Sequence, residues 1–394
     1  MMTRPKVDMI EATRLTCEGK LKEAMAVLLG SPDAANGPAP ASTERDPRQE
    51  AEGDLNVIDM APPSIETGNA WTAPKSGKAS SAAALDGKLG PAGGLDAMPG
   101  RVARPAPAAP SDGASFEEYS FTNEAGSRTY KLYVPSHQGG RALPLVVMLH
   151  GCTQSPDDFA VGTRMNELAE EQRFLVAYPA QPQSANPSKC WNWFNGTDQR
   201  RDYGEPSLIA GITRQIIRDF PIELGRVYVA GLSAGGATAA IMGATYPDLY
   251  AAIGVHSGLA CGAARDVTSA FVAMRQGGAP EGNRAGMAGP IVPTIVFHGD
   301  RDRTVNPANG DQVIAQAKGR TNLRATVVHG KAPGGISYDR TAQTDDTGRS
   351  ILEQWVLHGA GHAWSGGSAA GSYTEPRGPD ASREMVRFFL QHPA

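Results

Sequence analysis

A serine hydroxyl becomes a nucleophile when an imidazole can take its proton and a carboxylate holds that imidazole in place. Candidates for all three groups occur in order along this sequence. Ser233 lies in Gly231-Leu232-Ser233-Ala234-Gly235, directly after the apolar run Val227-Tyr228-Val229-Ala230 and directly before an alanine-rich stretch. A serine on a tight strand-to-helix turn needs small neighbours, because side chains two positions away on either side would collide with the adjoining strand and helix. Glycine stands at both places. Such a turn aims the hydroxyl outward and leaves the Ala234 N–H, at the helix start, to stabilise an oxyanion. Taken bare, the five-residue pattern also fits an ordinary helix cap. The strand before it and the helix after it are what favour catalysis.

The acid and the base are sought downstream, on loops after later strands. The apolar run Thr294 to His298 leads into Gly299-Asp300-Arg301-Asp302-Arg303, which offers two carboxylates. Asp302 is taken as the acid, with Asp300 left to cap the loop or pair with an arginine. Four histidines follow: His329, His358, His362 and His392. His329 and His358 end apolar runs, and His392 is near the terminus. His362 sits among small residues in Gly359-Ala360-Gly361-His362-Ala363-Trp364-Ser365-Gly366-Gly367, where an imidazole can approach a hydroxyl without blocking the substrate. The second oxyanion donor is expected from Leu149-His150-Gly151-Cys152-Thr153-Gln154, with the Cys152 N–H as the candidate and Gly151 allowing close approach. His150 precedes the serine, so it is read as bracing that loop or lining the substrate groove. Trp191 and Trp193 read equally as an acyl groove or as core.

These residues need a frame to bring them together. Phe116 to Thr122 and Arg128 to Val134 flank an Asn123-Glu124-Ala125-Gly126 turn and predict an antiparallel hairpin. Apolar strands at Leu145 to Leu149, Phe174 to Tyr178, Val227 to Ala230 and Ala251 to His256 then alternate with helices near Arg164 to Gln172, Leu208 to Phe220 and Gly235 to Tyr246. Further strands are expected at Thr294 to His298, Arg324 to His329 and Ile351 to His358, with a closing helix near Ser382 to Leu390. Short, fully apolar runs between helices predict a mostly parallel sheet covered on both faces, and with the serine turn this is the α/β-hydrolase fold. The expected catalytic domain covers residues 114–394. Residues 1–30 read as a helical hairpin appendage, Met9 to Thr16 and Leu21 to Leu29. Residues 31–113, rich in Ala, Pro, Gly and Ser, read as a disordered linker.

A net charge of −4 gives no general attraction to nucleic acid or anionic lipid. No run reaches the ~18 apolar residues that a membrane span requires. The four cysteines, Cys17, Cys152, Cys190 and Cys261, lack the paired spacing of a zinc site, so neither metal nor organic cofactor is expected. Asp8, Glu11, Arg14, Glu18 and Lys20 interrupt the N-terminus, so no secretory leader is expected and the chain is placed in the cytoplasm.

Together the oxyanion segment, Cys190-Trp191-Asn192-Trp193-Phe194, Gly231 to Gly236, His298 to Asp302 and Gly361 to Gly367 resemble the polyhydroxybutyrate depolymerase family of esterases, over about Ser115 to Leu390. The resemblance implies Ser233, Asp302 and His362 as a triad acting on short-chain hydroxyalkanoate esters, polymer or oligomer. Feruloyl and acetylxylan esterases are the related alternative. It also allows a Cys152–Cys190 disulfide, which a reducing cytoplasm would not keep. Many family members are extracellular, which is the alternative to a cytoplasmic location. With no polymer-binding domain expected after the catalytic one, the reading is an intracellular esterase of amorphous granule polymer or oligomers, the N-terminal hairpin serving as a granule contact. An inactive granule-binding adaptor is the rival from another class, since fold alone never establishes activity.

Overall fold

Leu143–Leu149 and Leu175–Pro179 are buried at every position, as strands must be when helices cover both faces of their sheet. In a computed structural model, residues 113–136, 140–278 and 291–394 are described. The expected hairpin over 1–30 and all but the last residue of the expected linker lie outside them.

The strands are β1 (Ser115–Asn123), β2 (Gly126–Val134), β3 (Leu143–Leu149), β4 (Leu175–Pro179), β5 (Ile222–Leu232), β6 (Ala252–His256), β7 (Thr294–Gly299), β8 (Arg324–Lys331), β9 (Ser337–Thr344) and β10 (Ser350–Leu357), with a separate short pair, β11 (Trp364–Ser365) and β12 (Thr374–Glu375). The helices are α1 (Pro156–Thr163), α2 (Met165–Gln172), α3 (Gly204–Asp219), α4 (Ala234–Thr245), α5 (Val267–Gln276), α6 (Ala308–Lys318) and α7 (Ala381–Leu390). One ten-stranded sheet runs in the order β1-β2-β4-β3-β5-β6-β7-β10-β9-β8. From β4 to β10 neighbouring strands are parallel. Antiparallel hairpins close both ends, β1 with β2 and β8 with β9.

Strand alternation divides the core. Leu145, Val147 and Leu149 face a cluster holding Ile209, Ile212 and Ile241 of α3 and α4. Val146 and Met148 face one holding Leu168, Met385 and Phe389 of α2 and α7. The expected α/β-hydrolase architecture is therefore present, with local differences. The helix expected near Arg164 to Gln172 is α2, and Arg164, at φ 57, separates it from a further helix, α1. Helices α1, α5 and α6 and the polar strand β9 (SYDRTAQT) escaped the reading.

Candidate active site

The carboxyl ends of β5, β6, β7 and β10, with the loop after β3, gather the chemistry. Ser233 sits between β5 and α4 at φ 57, ψ −119 and makes no side-chain capping bond. The helix-cap alternative thus loses its physical content. A non-glycine residue at positive φ carries strain, and tertiary contacts must hold it there. Here the Ser233 N–H donates to the His256 carbonyl at 2.9 Å. A Cβ on Gly235 would overlap the Leu149 carbonyl, and one on Gly231 the Gly235 carbonyl. Both glycines are therefore demanded by close backbone approach.

His362 Nδ1 lies 2.7 Å from Asp302 Oδ2, and both groups are buried. The other carboxylate oxygen, Oδ1, accepts the N–H groups of Thr304 (2.9 Å) and Val305 (2.8 Å). Burial works to raise the Asp302 carboxyl, but the His362 and His298 rings beside it outweigh burial and hold it far below the usual carboxylate range. An ionised Asp302 places the ring proton on Nδ1 of His362, so Nε2 is the basic nitrogen. Ser233 and His362 line one pocket, together with Gly151, Cys152, Trp193, Ala234, Leu259, Met274 and Tyr373. Cys152 and Ala234, the two expected oxyanion residues, flank the serine in it, and neither backbone N–H has an acceptor among the described residues. Asp300 instead pins a neighbouring loop, bonding His358 Nδ1 at 3.0 Å and the Gly359 N–H at 2.7 Å.

Two expected substrate contacts require correction. Trp191 is fully buried in the core, its indole N–H donating to the His150 carbonyl at 3.1 Å. His150 is also buried, with Nδ1 2.7 Å from the Gly151 carbonyl and Nε2 accepting the Gln181 N–H at 3.1 Å. Burial lowers its pKa to about 4, so it is a neutral brace. The polar ends of both rings bond backbone and have nothing left for a substrate. Of the three, Trp193 alone reaches the pocket.

The sequence reading overlooked two further histidines. His256, at the end of β6, accepts the Ser365 N–H on Nε2 at 3.0 Å while its carbonyl holds Ser233, so it ties the serine turn to the loop bearing His362. His298, at the end of β7, places Nε2 3.4 Å from Asp302 Oδ2 and 2.9 Å from the Val305 carbonyl. Position at the carboxyl end of a central strand was the available signal for both.

Cys152 and Cys190 form a disulfide with a sequence separation of 38. It joins the candidate oxyanion loop to the segment carrying Trp193. Closing a loop of that length stabilises by about 3–4 kcal/mol in the chain-entropy picture. Cys190→Ser is accordingly expected to lower the unfolding free energy by about that amount in a denaturant titration. Turnover should fall several-fold, because the Cys152 amide loses its anchor; unchanged turnover would detach the bond from the site.

Among the described residues no group of histidine, cysteine and carboxylate side chains is placed to hold a metal, and no helix is long and apolar enough to cross a membrane.

A mostly parallel sheet with a strained serine between strand and helix, and a buried Asp–His pair at the carboxyl ends of its strands, defines the α/β-hydrolase fold. Residues 128–331 match the family model described as esterase PHB depolymerase, and the chain belongs to that family. It is 32% identical over 250 residues to poly(3-hydroxyalkanoate) depolymerase C of Paucimonas lemoignei, covering 61% of this chain and 59% of that one. It is 27% identical over 212 residues to acetylxylan esterase A of Talaromyces purpureogenus, covering 50% and 54%. The chain thus spans less than two thirds of these relatives. An acetyl xylan esterase from Aspergillus awamori shares the fold at a TM-score of 0.56 and 22% identity, covering 70% of this chain and 99% of its own.

Proposed function

We propose that the protein is a serine esterase that hydrolyses short-chain hydroxyalkanoate esters, polymer or oligomer, through an acyl-enzyme. The observation that carries this reading is one pocket lined by both Ser233 and His362, with Asp302 bonded to the far side of the imidazole. Ser233 Oγ attacks the ester carbonyl as His362 Nε2 takes its proton, and the Cys152 and Ala234 N–H groups receive the developing oxyanion. His362 then protonates the departing alkoxide. Water, deprotonated by the same imidazole, attacks the acyl carbon and releases the acid and the serine.

The walls formed by Trp193, Leu232, Leu259, Met274 and Val305 are apolar, which suits a short acyl chain. The similarity to the Paucimonas depolymerase supports a hydroxyalkanoate substrate. Acetyl or feruloyl carbohydrate esters are the second reading, favoured by the near-complete coverage of the Aspergillus acetyl xylan esterase. Release of 3-hydroxybutyrate from its oligomers, measured against acetate from acetylated xylan and ferulate from a feruloyl ester, separates the two. Preference for oligomers by an order of magnitude in kcat/KM is the expected result, and the reverse preference would overturn the substrate assignment. The Cys152–Cys190 bond supports an oxidising compartment, and hence the extracellular alternative over the cytoplasmic one. Granule contact and an inactive adaptor role rest on residues 1–30, outside the described chain.

A further inference from the structure

The chain that carries His362 runs on through β11 and returns to the pocket at Tyr373, next to β12. Tyr373 lines the pocket and has φ 54. Its hydroxyl lies 3.1 Å from Thr153 Oγ1, and Thr153, the residue after Cys152, has φ 64. Left-handed backbone is costly for residues of this size and persists only where surrounding contacts enforce it, which happens most often at functional sites. Two such residues joined by their hydroxyls, one of them a wall of the pocket, are therefore informative.

The peptide between them has other anchors. The Thr153 N–H donates to the Ser188 carbonyl at 2.6 Å. Gln154 accepts the Gly151 N–H on Oε1 at 2.9 Å and donates from Nε2 to the Ser372 carbonyl at 3.0 Å. Residues on both sides of Cys152 are thus held by the 372–373 turn, directly or through Gln154. An oxyanion donor is worth most when it is aimed before the charge develops.

We propose that Tyr373 is a positioning residue for the oxyanion hole, its hydroxyl fixing Thr153 and thereby aiming the Cys152 N–H, while its ring walls the acyl pocket. The proposal rests on the reading of Ser233 as nucleophile. A lost neutral hydrogen bond corresponds to a roughly three- to tenfold effect, and it falls on the transition state, where the oxyanion exists.

The test uses the full chain with p-nitrophenyl butyrate as substrate and a short alkyl trifluoromethyl ketone as inhibitor, whose hemiketal oxygen mimics the oxyanion. Tyr373→Phe should lower kcat and raise the inhibitor constant by the same roughly three- to tenfold factor, leaving KM within about twofold. Thr153→Val should match it, Thr153→Ser should retain wild-type values, and the Phe/Val double variant should lose no more than either single one. Wild-type kcat and inhibitor constant in Tyr373→Phe, or multiplying losses in the double variant, would overturn the proposal. If Tyr373→Phe does not fold, the Thr153 pair decides: a deficient Val with an active Ser supports it, and two wild-type variants overturn it. A wild-type chain that neither hydrolyses esters nor takes up a fluorophosphonate sinks the esterase reading, and this proposal with it. An active wild type with an indifferent Tyr373 sinks the proposal alone.

Discussion

Ser233→Ala is expected to reduce turnover of p-nitrophenyl butyrate by roughly 10⁵–10⁶-fold, the scale at which a serine hydrolase loses its nucleophile. Labelling by a fluorophosphonate should vanish with it. The protein should stay folded, with a melting temperature within about 2 °C of wild type, because the hydroxyl makes no capping bond and alanine carries the same Cβ at φ 57. The strain of the turn is then the same in both proteins. KM should change little, since the pocket walls are untouched. Residual labelling, or turnover above about one percent of wild type, would move the nucleophile elsewhere. A variant that is inactive because it is unfolded is separated from this outcome by its melting curve.

The second large effect is expected from Asp302→Asn. The asparagine oxygen can still accept the N–H groups of Thr304 and Val305, so the loop keeps its shape. Its amide, however, donates toward His362 Nδ1 and drives the ring proton onto Nε2, where no base remains for Ser233. In a triad of this kind that tautomer change costs about 10⁴ in kcat. Asp300→Asn serves as the control, since Asp300 bonds His358 and the Gly359 N–H; it should stay within about threefold of wild type. If Asp300→Asn instead proves the damaging substitution, the acid has been misassigned.

Asp302 also links activity to acid stability. Its folded-state carboxyl is depressed below the ordinary value near 3.9. A depressed carboxyl contributes stability that is fully present above the unfolded pKa and is lost as pH falls toward the folded one. Wild-type unfolding free energy should therefore fall on acidification below about pH 4, and Asp302→Asn should show a shallower decline. Equal slopes in the two proteins would mean that the carboxylate is not ionised in the folded state.

Much of this site could be read before any coordinates. Ser233, its two flanking glycines and the strand and helix around it are contiguous, so local sterics already specify the turn. The order serine, acid, histidine follows from connectivity in a parallel sheet, where the loops at one edge supply the functional groups in sequence order. Apolar runs of four or more residues marked the parallel strands, since burial on both faces leaves no polar alternation. The polar strand β9 carries no such run, and it went unread together with helices α1, α5 and α6.

Tertiary structure alone decided the rest. A buried tryptophan and a pocket tryptophan have the same side chain, and packing sent Trp191 into the core and Trp193 to the wall. His150, with both ring nitrogens satisfied, became a brace by the same kind of choice. His256, His298 and Tyr373 gain their roles from neighbours as much as 220 positions away, as with Tyr373 and Thr153. The local chemistry of a turn is written in adjacent residues, because its sterics act over a few bonds. Which donor meets which acceptor across the pocket depends on how the chain closes on itself, and no spacing along the sequence records that.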